Sequence, residues 1–186
     1  MKPTGIIRRI DDLGRIVIPK EIRRTMRISE GDPLEIYTDR DGKIMLKKYS
    51  SINELSDFAE ACAESLAQHS GHITCIVDKD RVVAISGGLK KEFYDKKIST
   101  ELERAIHQRI EICATRKENA FVPILDEEDS STGTYNSELV APIKAQGDVY
   151  GAVVFLSPNK KMEKLDVVLA QTAAELLGKH AAFGLL

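Results

Sequence analysis

Short apolar runs and turn-forming residues alternate through the first 48 residues of the chain. Two runs rich in isoleucine and valine, Gly5–Asp11 and Arg15–Ile18, predict β-strands, and Gly14 supplies the positive φ that a tight turn between them requires. Pro19 follows the second run and fits the first position of a helix, where no amide hydrogen bond is needed. We therefore expect a helix of about two turns over Lys20–Arg27.

A second hairpin follows this helix and completes a small N-terminal unit. Pro33–Thr38 and Lys43–Lys48 alternate apolar and polar residues around Asp41-Gly42, a pair that is typical of hairpin turns. A unit of about 50 residues without a disulfide or a metal motif buries too little surface to offset its chain entropy. We therefore expect residues 1–50 to fold as an intertwined homodimer with a shared core.

Apolar residues at helical spacing begin after residue 50. Ser51 and Glu54 form a capping-box pattern, and Gly71 marks the end of the helix. The expected apolar stripe consists of Leu55, Phe58, Cys62 and Leu66. We expect this helix, residues 51–70, to link two domains and to pack against a partner helix.

Residues 71–186 mix strand and helix patterns and predict a second domain. Strands are expected over 72–78, 81–88 and 119–125, and as a hairpin within 138–157. A capping box at Thr100 and Glu103 begins a helix whose expected stripe is Leu102, Ile106 and Ile110. A last helix runs from Met162 to about His180. Its expected stripe is Met162, Leu165, Leu169, Thr172 and Leu176. An antiparallel sheet flanked by helices places the chain in the α+β class.

Charge is distributed unevenly between the two parts. Residues 1–48 carry twelve Lys and Arg against eight Asp and Glu, whereas the rest of the chain is net negative. Such asymmetry indicates that the N-terminal unit faces a polyanion. The chain has no apolar run near the roughly 20 residues that span a bilayer, so we expect no membrane partner and a cytoplasmic location. The expected free, buried thiols are Cys62, Cys75 and Cys113.

Catalytic and metal-binding patterns are weak throughout. His69 and His72 have no further ligands beside them and are expected to be exposed or to cap the helix. Ser86–Lys91 contains glycines and lysines without the spacing of a phosphate-binding loop, so we expect a plain turn. The acidic run Asp126–Asp129 is expected in a solvated loop. We therefore expect a protein that is not an enzyme and has no cofactor and no metal.

Four arginines of the N-terminal unit are the main candidates for binding. These candidates are Arg8, Arg15, Arg23 and Arg24. We expect them to lie close together because of the turn at Gly14 and the helix start at Pro19. A guanidinium group bridges phosphate oxygens or pairs with guanine, and a two-fold dimer presents each arginine twice. If six to eight phosphates are neutralised, log K falls against log salt with a slope of roughly −5 to −7. The alternative is that these cations pair on the surface with Asp11, Asp12 and Glu21.

The stretches TGIIRRIDDLGRIVIPKEIRR and GDPLEIYTDRDGKIMLKKY resemble the N-terminal domain of the AbrB transition-state regulators of Gram-positive spore-formers. The resemblance implies a swapped-hairpin dimer that binds double-stranded DNA, with Arg8, Arg15, Arg23 and Arg24 as the contacting residues. On electrostatic grounds alone, the residues that would assist them are Lys2, Arg9 and Lys20.

The remainder of the chain, including ELVAPIKAQGDVYGAVVFLS, resembles the GAF-type domain of sporulation regulators that carry an AbrB-type N-terminus. This resemblance implies a nucleoid-associated regulator of late forespore genes that activates some and represses others. It also implies a homotetramer assembled through the helices and the GAF-like domain. The signature of cyclic-nucleotide GAF domains is not visible, so the identity of a small-molecule effector stays open.

Two other functions are compatible with the N-terminal pattern. The first is an antitoxin-like interaction protein with the same swapped-hairpin fold, but such proteins usually end in a short disordered acidic tail rather than in a strand and helix pattern. The second is a ligand sensor whose basic unit only dimerises and does not bind DNA.

Overall fold

The computed structural model describes residues 4–126 and 135–183, and the chain divides into two compact units, Met1–Tyr49 and Ser50–Leu186. The N-terminal unit contains the helix α1 (Lys20–Thr25) and the strands β1 (Leu34–Thr38) and β2 (Ile44–Lys48). β1 and β2 form an antiparallel hairpin in which Ile36 lies opposite Leu46. The second predicted hairpin is therefore confirmed.

The two strands predicted over Gly5–Asp11 and Arg15–Ile18 are not formed among the described residues. A single backbone hydrogen bond joins the two runs at their turn, where the Asp11 amide donates to the Arg15 carbonyl at 3.1 Å. A strand needs a ladder partner for its other amides and carbonyls, and neither run has one within residues 4–126 and 135–183. The helix is also shorter than predicted, because Met26 leaves the helical conformation and the Ile28 amide donates to the Arg23 carbonyl at 2.8 Å.

The N-terminal unit has almost no interior of its own. Pro19 is the one buried residue among residues 4–49. The large apolar side chains of Ile7, Leu13 and Val17 are 88%, 70% and 73% exposed. Exposed apolar surface of this extent marks an interaction surface in a protein that is otherwise well packed.

The second unit is built on a five-stranded antiparallel sheet. Its helices are α2 (Ser51–Glu54), α3 (Ser56–Ser70), α4 (Lys90–Phe93), α5 (Thr100–His107) and α6 (Lys164–Phe183). Its strands are β3 (Ile73–Val77), β4 (Val82–Ser86), β5 (Ile112–Thr115), β6 (Ser137–Ala145) and β7 (Asp148–Ser157). The strand order is β4-β3-β7-β6-β5, and all neighbouring strands are antiparallel. The predicted α+β class is confirmed.

Both faces of this sheet are covered, because alternate residues of each strand point to opposite sides. Leu139 of β6 and Phe155 of β7 face a core that includes buried residues of α3 and α6. Val140 and Val154 face the other core, which includes Phe93 of α4 and buried residues of α5. The central strands are consequently apolar in almost every position.

Several local predictions for the second unit are wrong by a few residues. The N-cap of α5 is Ser99, whose Oγ accepts from the Leu102 amide at 3.0 Å, rather than Thr100. Ile110 lies beyond the end of α5 and is 46% exposed. Residues 119–125 form no strand apart from an isolated bridge between Leu125 and Ile98, whereas the short strand β5 was not predicted.

The face of α6 that packs on the sheet differs from the predicted one. Its buried hydrophobic side chains are those of Ala170, Ala173, Ala174, Leu177, Ala181 and Ala182. Leu165, Thr172 and Leu176 of the predicted stripe are exposed. Small side chains form the contact because the helix lies close to the sheet: a Cβ on Gly178 would be 2.5 Å from the Lys144 carbonyl oxygen. In α3, Leu66 of the predicted stripe is buried, but Ala59 and Ala63 are the most deeply buried residues.

Other predictions concern single residues. Gly71 ends α3 in the left-handed conformation, as predicted. The side chain of Glu54, which is the predicted partner of Ser51 in the capping box, lies outside the described side chains. Of the three cysteines, which are all free, Cys75 is buried as expected, whereas Cys62 is half-buried and Cys113 is exposed. The acidic run Asp126–Asp129 lies outside the described residues beyond Asp126.

Candidate nucleic-acid interface

The tight turn between the first two apolar runs is organised by Asp11. Its Oδ1 atom accepts hydrogen bonds from the Leu13 amide at 3.1 Å and from the Arg15 amide at 2.7 Å. Its Oδ2 atom accepts from Nε of Arg15 at 2.8 Å. Gly14 closes the turn with φ at 75°, and its amide donates to the Asp11 carbonyl at 3.0 Å. These contacts, led by the Arg15 amide and then the Arg15 side chain, lower the pKa of Asp11.

The helix α1 carries two of the other predicted arginines. The Arg23 amide donates to the Pro19 carbonyl at 2.9 Å, so the helix begins directly after the proline, as the sequence predicts. Arg23 and Arg24 lie in its last turn, and both are exposed. Arg8, Arg9 and Lys20 are also exposed, whereas Lys2 lies outside the described residues.

The alternative of mutual pairing on the surface applies to one of these cations. Within the described part of the chain, Arg15 forms an ion pair with Asp11, and neither Asp12 nor Glu21 pairs with a predicted binding residue. Of the described residues predicted to bind, five are exposed and have no acidic partner: Arg8, Arg9, Lys20, Arg23 and Arg24. The N-terminal unit therefore presents unneutralised positive charge to solvent.

The turn of the second hairpin repeats the geometry of the first. Both read Asp-x-x-Gly followed by a basic residue. Asp39 Oδ1 accepts from the amides of Asp41 at 3.0 Å and Lys43 at 2.8 Å, and its Oδ2 lies 3.2 Å from Nζ of Lys43. Gly42 has φ at 77°. The aspartate at the first position therefore both caps the turn and holds the cation that follows it.

The interior of the second unit contains a polar group that sequence reasoning missed. Glu138 of β6 is fully buried; its Oε1 accepts from the Val122 amide at 2.7 Å, and its Oε2 has no hydrogen-bond partner among the described residues. Burial raises the pKa of Glu138 to about 8. Next to it, Arg116 lies over the rings of Phe121 and Tyr135 at 5.3 and 5.6 Å. Burial likewise raises the pKa of Tyr135.

A buried histidine–aspartate contact joins the residue before β3 to the start of α6. Nε2 of His72 is 3.1 Å from Oδ2 of Asp166, and both side chains are buried. The expectation that His72 is exposed or caps a helix is therefore wrong, because it pairs with a residue far away in sequence. His69 is exposed, and its Nδ1 lies 2.7 Å from the Ser65 carbonyl.

Neither a cluster of metal ligands nor a membrane-spanning helix is present in residues 4–126 and 135–183. No group of three or more His, Cys, Asp or Glu side chains in these ranges could hold a metal ion. No helix of the same ranges has the length and apolar character to cross a bilayer.

Two sequence families match the chain. A family described as stage V sporulation protein T C-terminal, transcription factor, matches residues 54–182. A family described as antidote-toxin recognition MazE, bacterial antitoxin, matches residues 7–54. The boundary between the matches lies near the boundary between the two compact units.

Individual relatives agree with this division. Stage V sporulation protein T of Bacillus subtilis is 49% identical over 181 residues, which are 97% of this chain and 98% of the relative. The transition state regulatory protein AbrB of the same organism is 65% identical over 49 residues, 26% of this chain and half of that protein. Among solved structures, the GAF domain of an Acinetobacter phosphoenolpyruvate-protein phosphotransferase covers 74% of this chain and 86% of its own, at 15% identity and a TM-score of 0.58. That likeness confirms a GAF-like fold for the second unit.

Proposed function

Because the chain belongs to the family of stage V sporulation protein T, we propose that it regulates sporulation genes by binding double-stranded DNA through its N-terminal unit. Membership of a transcription-factor family supports DNA binding, and the 65% identity with AbrB over 49 residues supports our proposal that the N-terminal unit carries it. A function in binding rather than catalysis is part of this proposal. The proposal also includes a cytoplasmic, nucleoid-associated location, because a DNA-binding regulator acts where the chromosome lies. The finer function, activation of some late forespore genes and repression of others, also belongs to the proposal.

The observation that carries the DNA-binding proposal is the set of exposed, unneutralised cations in the N-terminal unit. We assign DNA contact to Arg8, Arg15, Arg23 and Arg24. The assisting residues are Lys2, Arg9 and Lys20. Arg23 and Arg24 are adjacent, exposed and free of acidic partners among the described residues. Guanidinium groups in this state are available for phosphate oxygens, which supply most of the affinity for duplex DNA.

The proposed assembly is a homodimer through residues 1–50, extended to a homotetramer by residues 51–70 and the GAF-like domain, residues 71–186. The dimer is supported by the lack of buried residues other than Pro19 in residues 4–49 and by the exposure of Ile7, Leu13 and Val17. A second copy of the hairpin would cover these side chains and supply the missing ladder partners. The tetramer is supported by the exposed apolar residues of α6, Leu165, Val168 and Leu176.

A small-molecule effector of the second unit is also part of the proposal. It is supported by the buried carboxyl group of Glu138, whose Oε2 accepts no hydrogen bond from the described residues. Polar atoms in such a position are usually satisfied by a partner. A thermal-shift screen of the full chain against metabolites tests this part, and an absence of any shift favours a domain that only assembles the oligomer.

The match of residues 7–54 to an antitoxin family makes an antitoxin-like function the second candidate. Residues 54–182 match a transcription-factor family, and the second unit folds into a sheet covered on both faces. The relative from Bacillus subtilis aligns over nearly its whole length with both parts. These observations favour the regulator.

Replacing Arg23 and Arg24 by alanine tests the DNA-binding proposal. The probe is a fluorescent duplex of mixed sequence, and its anisotropy is followed at several salt concentrations with the full chain. We expect the affinity to fall at least tenfold and the slope of log K against log salt to become shallower by about 3 to 4, because a dimer loses four cations. Light scattering checks that the oligomer is unchanged.

The matched control is the replacement of Lys160 and Lys161 by alanine. These two exposed lysines lie in the second unit, and their removal changes the net charge by the same amount. We expect this variant to bind the duplex like the wild type. Equal binding by the arginine variant and the wild type would falsify the assignment of the DNA site to α1.

A further inference from the structure

The hydrogen bonds of Asp11 fix the side chain of Arg15 as well as the turn. One carboxylate oxygen accepts the two turn amides, and the other accepts Nε of Arg15 at 2.8 Å. An arginine has five N–H donors, and this contact uses the single one on Nε. The four donors on the two Nη atoms contact no acceptor among the described residues, and the Arg15 side chain is 69% exposed. The guanidinium is thus held at one edge and open at the other.

The second turn shows that this arrangement follows from the local sequence. Asp39 accepts the corresponding two amides and pairs with Lys43, the basic residue at the same position. A lysine, however, ends in a compact point charge without a fork of donors. The first turn therefore differs from the second in presenting a planar, oriented guanidinium group.

We propose that Asp11 is a positioning residue for DNA recognition, which orients the guanidinium of Arg15 so that its two Nη groups face the duplex. The proposal rests on the proposed function, in which Arg15 contacts DNA. Holding the side chain before binding reduces the rotamer entropy that an arginine loses on contact, and it favours two parallel hydrogen bonds to one phosphate or guanine.

Simple electrostatics makes the opposite prediction for this residue. A carboxylate on a DNA-binding face repels phosphate, so its removal on Coulomb grounds alone should strengthen binding. Asp12 serves as the control, because it is exposed, adjacent and without a hydrogen bond or ion pair to any described residue. The two positions therefore carry the same charge but only one of them holds Arg15.

The experiment compares Asp11→Asn, Asp12→Asn, Arg15→Ala and the double variant Asp11→Asn with Arg15→Ala, in the full chain with a duplex probe of mixed sequence. Asparagine retains an oxygen for the turn amides but presents no charge to Arg15. We expect Asp11→Asn to bind about tenfold more weakly than the wild type, a coupling of ordinary size for one ion pair that acts in both halves of a dimer. Asp12→Asn should bind as tightly as the wild type or more tightly.

The double variant tests whether Asp11 acts through Arg15. In the absence of Arg15, the change Asp11→Asn should weaken binding no further. The slope of log K against log salt should also become shallower in Asp11→Asn, by about 2 for the two phosphates that a dimer no longer neutralises. A loss of folded protein alone would not change that slope.

Asp39→Asn removes the same charge and the corresponding ion pair from the second turn, where Lys43 also pairs with Asp41 at 2.9 Å. This variant should leave the affinity for DNA unchanged. Two results would overturn the positioning role and leave the proposed DNA site intact. One is an equal loss of DNA affinity in Asp39→Asn, and the other is wild-type affinity in Asp11→Asn when Arg15→Ala binds weakly. Wild-type binding by Arg15→Ala instead removes Arg15 from the proposed DNA site, and with it the basis of this inference.

Discussion

Replacing Glu138 by glutamine tests whether the buried carboxyl of β6 is neutral in the folded protein. Burial raises its pKa to about 8, against an ordinary value of 4.5. Between these two pH values the folded state binds one proton more than the unfolded state. The free energy of unfolding therefore falls with rising pH, by about 1.4 kcal/mol per unit from this group, and the loss is complete above the folded pKa.

Glutamine keeps the shape of the side chain and an oxygen for the Val122 amide but has no proton to lose. The contributions of all other titrating groups cancel when variant and wild type are compared at the same pH. The difference in the free energy of unfolding, variant minus wild type, should rise by about 3 kcal/mol between pH 5.5 and pH 7.5.

The assay is urea unfolding of the full chain, followed by circular dichroism at 222 nm. This signal reports mainly on the second unit, because α3 and α6 contain 15 and 20 residues and α1 contains six. Glu101→Gln on the exposed first turn of α5 is the control and should give a difference that does not depend on pH. A variant that is less stable than the wild type by the same amount at every pH would mean that Glu138 is ionised and stabilised by Arg116, and would refute the reasoning.

Two further substitutions test packing and capping in the second unit. Ser99→Ala removes the N-cap of α5 and should lower the free energy of unfolding by about 1–2 kcal/mol, whereas Thr100→Ala should have a much smaller effect in the same urea titration. The reverse order would show that the cap is at Thr100. Gly178→Ala places a Cβ 2.5 Å from the Lys144 carbonyl oxygen and should cost about 2–3 kcal/mol, despite the higher helix propensity of alanine. Lys179→Ala, which loses an exposed pair with Glu175, should change stability by about 0.5 kcal/mol or less, and equal effects of the two would contradict the close approach.

Features that depend on neighbouring residues could be predicted from the sequence. Gly14 and Gly71 occupy the positive φ that a turn and a helix end require, and the helix after Pro19 begins where a missing amide is tolerated. The long hairpin of β6 and β7 follows from its two continuous apolar runs and the turn at Gln146-Gly147. Each of these signals is contained within a few residues of chain.

Features that depend on distant or small residues could not be predicted in this way. The strands over Gly5–Asp11 and Arg15–Ile18 require ladder partners that the described part of this chain does not supply. The pair of His72 and Asp166 joins residues that are far apart in sequence. In the candidate DNA site, the exposed arginines were predicted from charge and resemblance, but the orienting role of Asp11 required the geometry of the turn. Its sequence signal, Asp-x-x-Gly followed by a basic residue, occurs twice within the first 50 residues.

Because α6 packs on the sheet through small side chains, mainly alanine, a change in the length of this helix would disturb its packing. One residue inserted after Ala174 would rotate the following part by about 100° relative to the preceding part. Leu177 would then occupy the position of Gly178, where even a Cβ meets the Lys144 carbonyl oxygen, and the glycine would move to the solvent side. Insertions and deletions within α6 are therefore expected to be selected against in related proteins, while the loop between Ser157 and Lys164 can change length without altering which residues meet the sheet.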